Sequence, residues 1–265
     1  MTAGIRPVAG PSVPAIHHLE EVMGTIVTID VWTADGRADA DVSRQLTTAR
    51  TLLQNADAVF STWKPDSPVS RLRRGEITIA QAPAEVREVL QLCATARDLS
   101  GGWFDPWAMP GGVDPTGYVK GWAAQRALDE FRASSIRGAI VNAAGDIASI
   151  GGLGHGQPFR IGISDPFSPR HLAEVACLTG AISTSGTYER GNHLIDPHSG
   201  RPMARAASAS VTGPDLGLAD ALATALAIAG SPGLDLIDAL EGYEALIIAL
   251  DGARHWTEHF PFARR

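Results

Sequence analysis

The chain has 265 residues, 45% hydrophobic and 19% charged, with 22 Lys and Arg against 29 Asp and Glu for a formal net charge of −7. That length holds a sizeable core and predicts one large domain or two intimately packed lobes, while the acidic balance excludes nucleic acid as a partner, because phosphate backbones are gripped by clustered Lys and Arg. Two cysteines, Cys93 and Cys177, are too few for a disulfide scaffold or a thiolate metal cage, and their apolar surroundings predict two buried thiols.

Residues 1–16 mix Pro and Gly with small residues and have no apolar stretch after Arg6, so they read as a flexible leader ahead of a single domain over 17–265. With no export signal, no cysteine before Cys93 to carry a lipid, and no apolar run near the roughly 18 residues of a membrane span, a cytoplasmic protein without a transmembrane segment is expected. Glu20 to Trp32 is a β-rich run that Met23-Gly24-Thr25 interrupts, read as one strand with a bulge or a close-approach glycine. Between Asp39 and Phe60 the apolar residues Leu46, Ala49, Leu52, Leu53, Ala56 and Val59 recur at helical spacing. A loop from Ser61 to Ser67 follows. Ala84 to Ser100 is a second helix closed by Gly101-Gly102, and Gly121 to Arg132 is a third.

From Gly138 the pattern changes to short β-branched or apolar runs between turns: Ala139 to Asn142, Ile147 to Ile150, Phe159 to Ser164, Glu174 to Leu178, Ala181 to Thr184 and Ser208 to Thr212. Ala219 to Ala229 is a compact apolar helix, and Glu244 to Leu250 pairs with Arg254 to His259 across Asp251-Gly252. Helices inserted among hairpins, without regular βαβ alternation, predict an α+β fold of antiparallel β-sheets.

Three segments carry candidate chemistry. Asp220 and Thr224 stand four apart on one predicted helix, so a carboxylate and a hydroxyl share a face. Two hard oxygens one turn apart suit Mg²⁺ better than zinc or copper, since Mg²⁺ takes one or two protein oxygens and completes its shell with phosphates and water. The competing reading has Asp220 cap the helix and Thr224 fill the core. Gly111 to Gly121 is a glycine-rich loop running into a helix, able to offer N–H groups and Lys120 to a phosphate, although it matches neither a Walker loop nor a dinucleotide fingerprint. His193 lies among hydroxyl-bearing and acidic residues and can serve as a general base near neutral pH; taken alone, a hydrogen-bonded structural histidine is the better reading.

Taken in order, these segments resemble the ApbE family, the FAD:protein FMN transferases. The pieces are M-G-T at Met23, F-S-T-W-K-P-D-S-P-V-S from Phe60, G-G-W-F-D-P from Gly101, D-P-T-G-Y-V-K-G from Asp114 and N-A-A-G-D from Asn142. S-T-S-G from Ser183, H-L-I-D-P-H-S-G from His193 and A-D-A-L-A-T-A-L from Ala219 complete the series. The resemblance implies an ApbE-like, T-fold-like architecture. It also implies that Asp220, Thr224 and the backbone oxygen of Gly117 hold Mg²⁺, that Met23, Trp63, Phe104, Asp105, Asp114, Lys120 and Ile195 line an FAD site, and that His193 is the base. The implied reaction moves FMN from FAD to a Thr or Ser hydroxyl of an acceptor flavoprotein and releases AMP. Water in place of the hydroxyl would make an FAD diphosphatase, and binding without turnover a flavin-storage protein. Two positions depart from the family pattern: Ala144, where a second glycine is usual, and Trp107, where a small hydroxyl residue is usual.

Overall fold

The computed structural model describes residues 6–7, 16–133, 135–153, 157–187 and 194–263. Strands β2 (Ile16–Val22), β3 (Thr25–Trp32), β4 (Gly138–Ala143), β5 (Asp146–Gly151), β8 (Gly180–Gly186), β11 (Ala206–Gly213), β12 (Glu244–Ala249) and β13 (Arg254–Trp256) form one eight-stranded sheet. Its order is β13-β12-β11-β8-β5-β4-β3-β2, antiparallel throughout. A three-stranded sheet joins β1 (Arg6–Pro7), β6 (Phe159–Asp165) and β7 (Ser168–Leu178), and a small hairpin joins β9 (Ile195–Asp196) to β10 (Arg201–Pro202). The helices are α1 (Ala40–Phe60), α2 (Pro68–Arg73), α3 (Ala84–Leu99), α4 (Thr116–Asp129), the Leu216–Ala229 helix and a short turn at Leu234–Asp238. The α+β expectation is met. Among the described residues no helix is long and apolar enough to cross a membrane.

Period-two alternation gives the large sheet two different faces. Val27, Ile29, Val31, Ala139, Val141 and Ala143 pack against the helices, whereas Ile140, Ile147 and Ile182 pack against Phe159, Ile161 and Ile163 of the small sheet. A third core lies between the Leu216–Ala229 helix and β11–β12, where Leu222 and Leu226 meet Ala209, Val211 and Ile247. Each such buried aliphatic side chain contributes about 1.5–3 kcal/mol.

The run from Glu20 to Trp32 is a hairpin, not one bulged strand. Val22 pairs with Thr25, and Met23 (φ 52) and Gly24 (φ 67) form a two-residue turn of the left-handed kind that matches strand twist. A second such turn joins β4 to β5 at the same end of the sheet: Ala144 sits at φ 56 beside Gly145 at φ 102, with the Asn142 side-chain oxygen accepting from the Gly145 N–H at 2.8 Å. The departure at Ala144 therefore places a Cβ where glycine is sterically free, a local cost of about 1–2 kcal/mol. Of the two thiols, Cys93 is buried, and burial pushes its pKa up to about 12; Cys177 is half-buried, because alternation along β7 puts it on the face opposite buried Ala176 and Leu178.

Glu20 of β2 ties the edge of the sheet to α1. Its carboxylate accepts from Gln54 Nε2 at 2.7 Å and Arg50 Nε at 2.8 Å, with His18 Nε2 at 3.1 Å, and these bonds, Gln54 first and Arg50 next, lower its pKa from an ordinary 4.5 to about 2. A depressed carboxylate adds stability above its unfolded pKa and loses it as pH falls through the folded value. Between pH 4.5 and 2 the melting temperature of the wild type should fall more steeply than that of Glu20→Gln; parallel acid profiles would contradict this role.

Candidate functional site

Two helices build the centre of the site. The Leu216–Ala229 helix begins three residues before the predicted Ala219, because Asp215 caps it by accepting from the Leu218 N–H at 2.7 Å. Asp220 therefore lies inside the helix, which removes its alternative role as cap. Helix α4 begins at Thr116, five residues before the predicted start, since Asp114 Oδ1 accepts from the Thr116 N–H at 3.1 Å and from its hydroxyl at 2.6 Å. The predicted phosphate-facing loop is thus partly helical, and Gly117 and Lys120 stand on its first turns.

Glycine sets the separation of these helices. A Cβ at Gly121 would lie 2.4 Å from the Leu216 carbonyl oxygen, and one at Gly217 would lie 2.7 Å from the Tyr118 ring. Close approach brings Gly117 and Lys120 of α4 against Thr224 and Asp220. A Cβ on Gly117 would stand 4.0 Å from Thr224 Oγ1 and 3.2 Å from the Phe104 ring. Lys120 Nζ is 3.7 Å from Asp220 Oδ2 and pairs directly with Asp146 at the start of β5.

Strand β8 completes the cluster with two serines on one face. Ser183 donates to Asp146 Oδ1 at 2.5 Å, and Ser185 Oγ lies 3.2 Å from Thr224 Oγ1. Thr184, between them, points to neighbouring β11 and meets Ser210 Oγ at 2.6 Å. Asp146, Ser183 and Ser185 were absent from the sequence-derived site. Their visible signals were the N-A-A-G-D and S-T-S-G segments that contain them and the period-two spacing of Ser183 and Ser185.

Asp220, at 4% exposure, and half-buried Thr224 present hard oxygens beside Gly117. Among the described residues no group of three or more His, Cys, Asp or Glu could hold a metal, so a cation here would draw on hydroxyl and carbonyl oxygens as well as a carboxylate.

The remaining expected residues divide into those near this centre and those apart from it. Phe104 is buried against Gly117, its N–H donating to Ser100 Oγ at 3.1 Å. Asp105, next to it, accepts from the Trp107 N–H at 2.8 Å and turns the chain. Asp114 Oδ2 pairs with Arg73 Nη1 at 3.1 Å, and the same guanidinium donates to the carbonyls of Pro110 and Val113 at 2.9 and 3.1 Å, pinning the loop before α4. Met23 sits in its hairpin turn, in an open cleft lined by Glu21, Val22, Gly24, Thr25, Ile26 and Asp57. Trp63 is 93% exposed, in a loop held by Ser61 and Ser67 and by the Lys64–Asp57 ion pair at 2.5 Å. Ile195 is half-buried in β9, beside buried Leu194, which packs in the core of the Leu216–Ala229 helix. The candidate base His193 lies outside the described residues. Trp107, the second departure, lies against the Arg97 guanidinium, 5.2 Å from its ring centre.

Comparisons with known proteins converge on one family. The model of the ApbE family matches residues 23–111 and 108–247, most of the chain. A FAD:protein FMN transferase from Rhodobacter capsulatus is 36% identical over 148 residues, 52% of this chain and 28% of that protein. Another, from Escherichia coli strain K12, is 30% identical over 151 residues, 53% of this chain and 43% of its own length. The matched stretch thus spans less than half of either relative. The solved structure of the flavin transferase ApbE from Vibrio cholerae superposes with a TM-score of 0.78 at 24% identity, covering 92% of this chain and 97% of that one, a likeness of fold. With its order of segments, its sheet and its family match in agreement, the chain belongs to the ApbE family.

Proposed function

We propose that this chain transfers the FMN half of FAD to a Thr or Ser hydroxyl of an acceptor flavoprotein, in a reaction that requires Mg²⁺ and releases AMP. The observation that carries the reading is the meeting of Asp220, Thr224, Gly117 and Lys120 at one point of a fold whose family includes proteins named FAD:protein FMN transferase.

The residues present fit the cation: a buried carboxylate, a hydroxyl one turn away and a helix-start backbone beside it are oxygen donors of the kind Mg²⁺ takes. Asp220, Thr224 and the Gly117 carbonyl would hold it. Bound there, Mg²⁺ supplies neutralisation of the pyrophosphate charge. Lys120 faces the same charge from α4. Phe104 and Asp105 wall the site beside Gly117, and Asp114, clamped by Arg73, fixes the start of the phosphate-facing helix. Met23 and Ile195 supply apolar lining, while the exposed ring of Trp63 offers a flat face for the flavin.

In the transfer step His193 accepts the proton of the acceptor hydroxyl. The oxygen forms a bond to the FMN-side phosphorus, the bond from that phosphorus to the bridging oxygen breaks, and AMP carries that oxygen away. The chain's task is positioning and charge compensation, without a covalent nucleophile.

The test is the intact mass of a purified acceptor flavoprotein after incubation with the chain, FAD and Mg²⁺. The expected outcome is a covalent flavin adduct that His193→Ala abolishes while FAD binding is largely kept. Free FMN and AMP without adduct would replace transfer by hydrolysis, intact bound FAD would leave a storage protein, and absence of FAD binding would sink all three.

A further inference from the structure

Lys120 stands between two buried carboxylates from different elements, Asp146 on β5 at 1% exposure and Asp220 on the Leu216–Ala229 helix at 4%. The pairing is unequal. The ammonium is in direct contact with Asp146 and 3.7 Å from Asp220 Oδ2. Asp146 is itself oriented, since the Ser183 hydroxyl donates to its other oxygen at 2.5 Å. Ser183 belongs to β8, the neighbour of β5 in the sheet, so the position of Asp146 is set by strand pairing and does not depend on the two helices.

We propose that Asp146 is a positioning residue that draws the Lys120 ammonium to one side, away from Asp220, so that lysine and divalent cation do not compete for the same carboxylate. This rests on the proposed Mg²⁺ role of Asp220. The two carboxylates are buried while the Lys120 side chain is 24% exposed, so each carboxylate gains from a cation beside it and the ammonium is the one at hand. Among the described residues its ion-pair partners are Asp146 and Asp220. Neutralising Asp146 leaves Asp220 as the carboxylate for both cations, and binding of one opposes binding of the other.

The test is calorimetric titration of the full chain with MgCl₂, without nucleotide, for the wild type, Asp146→Asn, Lys120→Met, their double variant and Asp220→Asn. Asp146→Asn should weaken Mg²⁺ binding about tenfold when Lys120 is present, and much less in the Lys120→Met background, a coupling of the size found between contacting residues. Equal losses in the two backgrounds would make Asp146 a distant charge and overturn the proposal, as would no loss in either. If Asp220→Asn binds Mg²⁺ as the wild type does, the metal reading itself fails. If Asp220→Asn loses binding and Asp146→Asn keeps it, the positioning role alone fails. Melting curves give a second arm that stands even if Asp146→Asn does not fold. In EDTA, Lys120→Met should melt below the wild type, and Mg²⁺ should narrow the gap because a cation at Asp220 offsets part of the Asp146 charge that the ammonium no longer balances. A gap that Mg²⁺ leaves unchanged would overturn the proposal.

Discussion

Asp220→Asn is expected to slow flavin transfer by about a thousandfold, or about 4 kcal/mol of barrier, while leaving the fold intact. The size follows from the charge: neutralising a pyrophosphate as it is cleaved is worth several kcal/mol, and the role proposed for Asp220 is to hold the cation that does so. Stability should move the other way or not at all. The substitution leaves the Lys120–Asp146 pair in place. Transfer rates measured at saturating Mg²⁺, beside a thermal melt of the same sample, separate the two effects. A variant with near wild-type transfer would remove Asp220 from the chemistry.

Gly121→Ala is expected to be among the most damaging single-methyl changes in the chain. The added Cβ would stand 2.4 Å from the Leu216 carbonyl oxygen, 2.8 Å from its carbonyl carbon and 3.1 Å from Gly217 Cα, all backbone atoms that cannot rotate aside. Helix α4 and the Leu216–Ala229 helix must then separate, at a cost of about 3 kcal/mol. For a domain of this size that is a fall in melting temperature of about 6–12 °C. The same separation pulls Gly117 and Lys120 away from Thr224 and Asp220, so the surviving folded protein should also bind Mg²⁺ more weakly. An unchanged melting curve would show that the helices are not held in contact at this point.

The parts of this arrangement that were legible in the sequence are those encoded by local periodicity. Asp220 and Thr224 could be placed on one helical face because four residues nearly complete a turn, and the apolar spacing of α1 and α3 gave those helices within a residue or two. Other boundaries were misplaced for local reasons. Pro115 and Gly117 read as loop residues, whereas Asp114, accepting from the Thr116 N–H and hydroxyl, turns the chain into a helix that starts at Thr116 and already contains Gly117; and Met23-Gly24 lacks the Asn-Gly or Asp-Gly turn signal, so a hairpin looked like one interrupted strand. Helix α2 was overlooked although Ser67 caps it by accepting from the Ser70 N–H and Pro68 opens it.

What the sequence could not disclose is partnership across the sheet. Asp146 and Ser183 are 37 residues apart, and nothing near either residue names the other; strand order brings β5 beside β8 and so creates the pair. The partners of Lys120 were hidden for the same reason. Its two carboxylates come from a strand and a helix distant in the chain. Arg73 as the clamp on Asp114 depends likewise on α2 folding back onto the loop before α4.

The central claim is that this chain moves FMN from FAD to an acceptor hydroxyl, and the intact mass of the acceptor measures it most directly. With FAD and Mg²⁺ present, the account predicts an acceptor heavier by one phosphoester-linked FMN, with AMP released in equal amount and no adduct when Mg²⁺ is chelated. An acceptor of unchanged mass beside stoichiometric free FMN and AMP would contradict it.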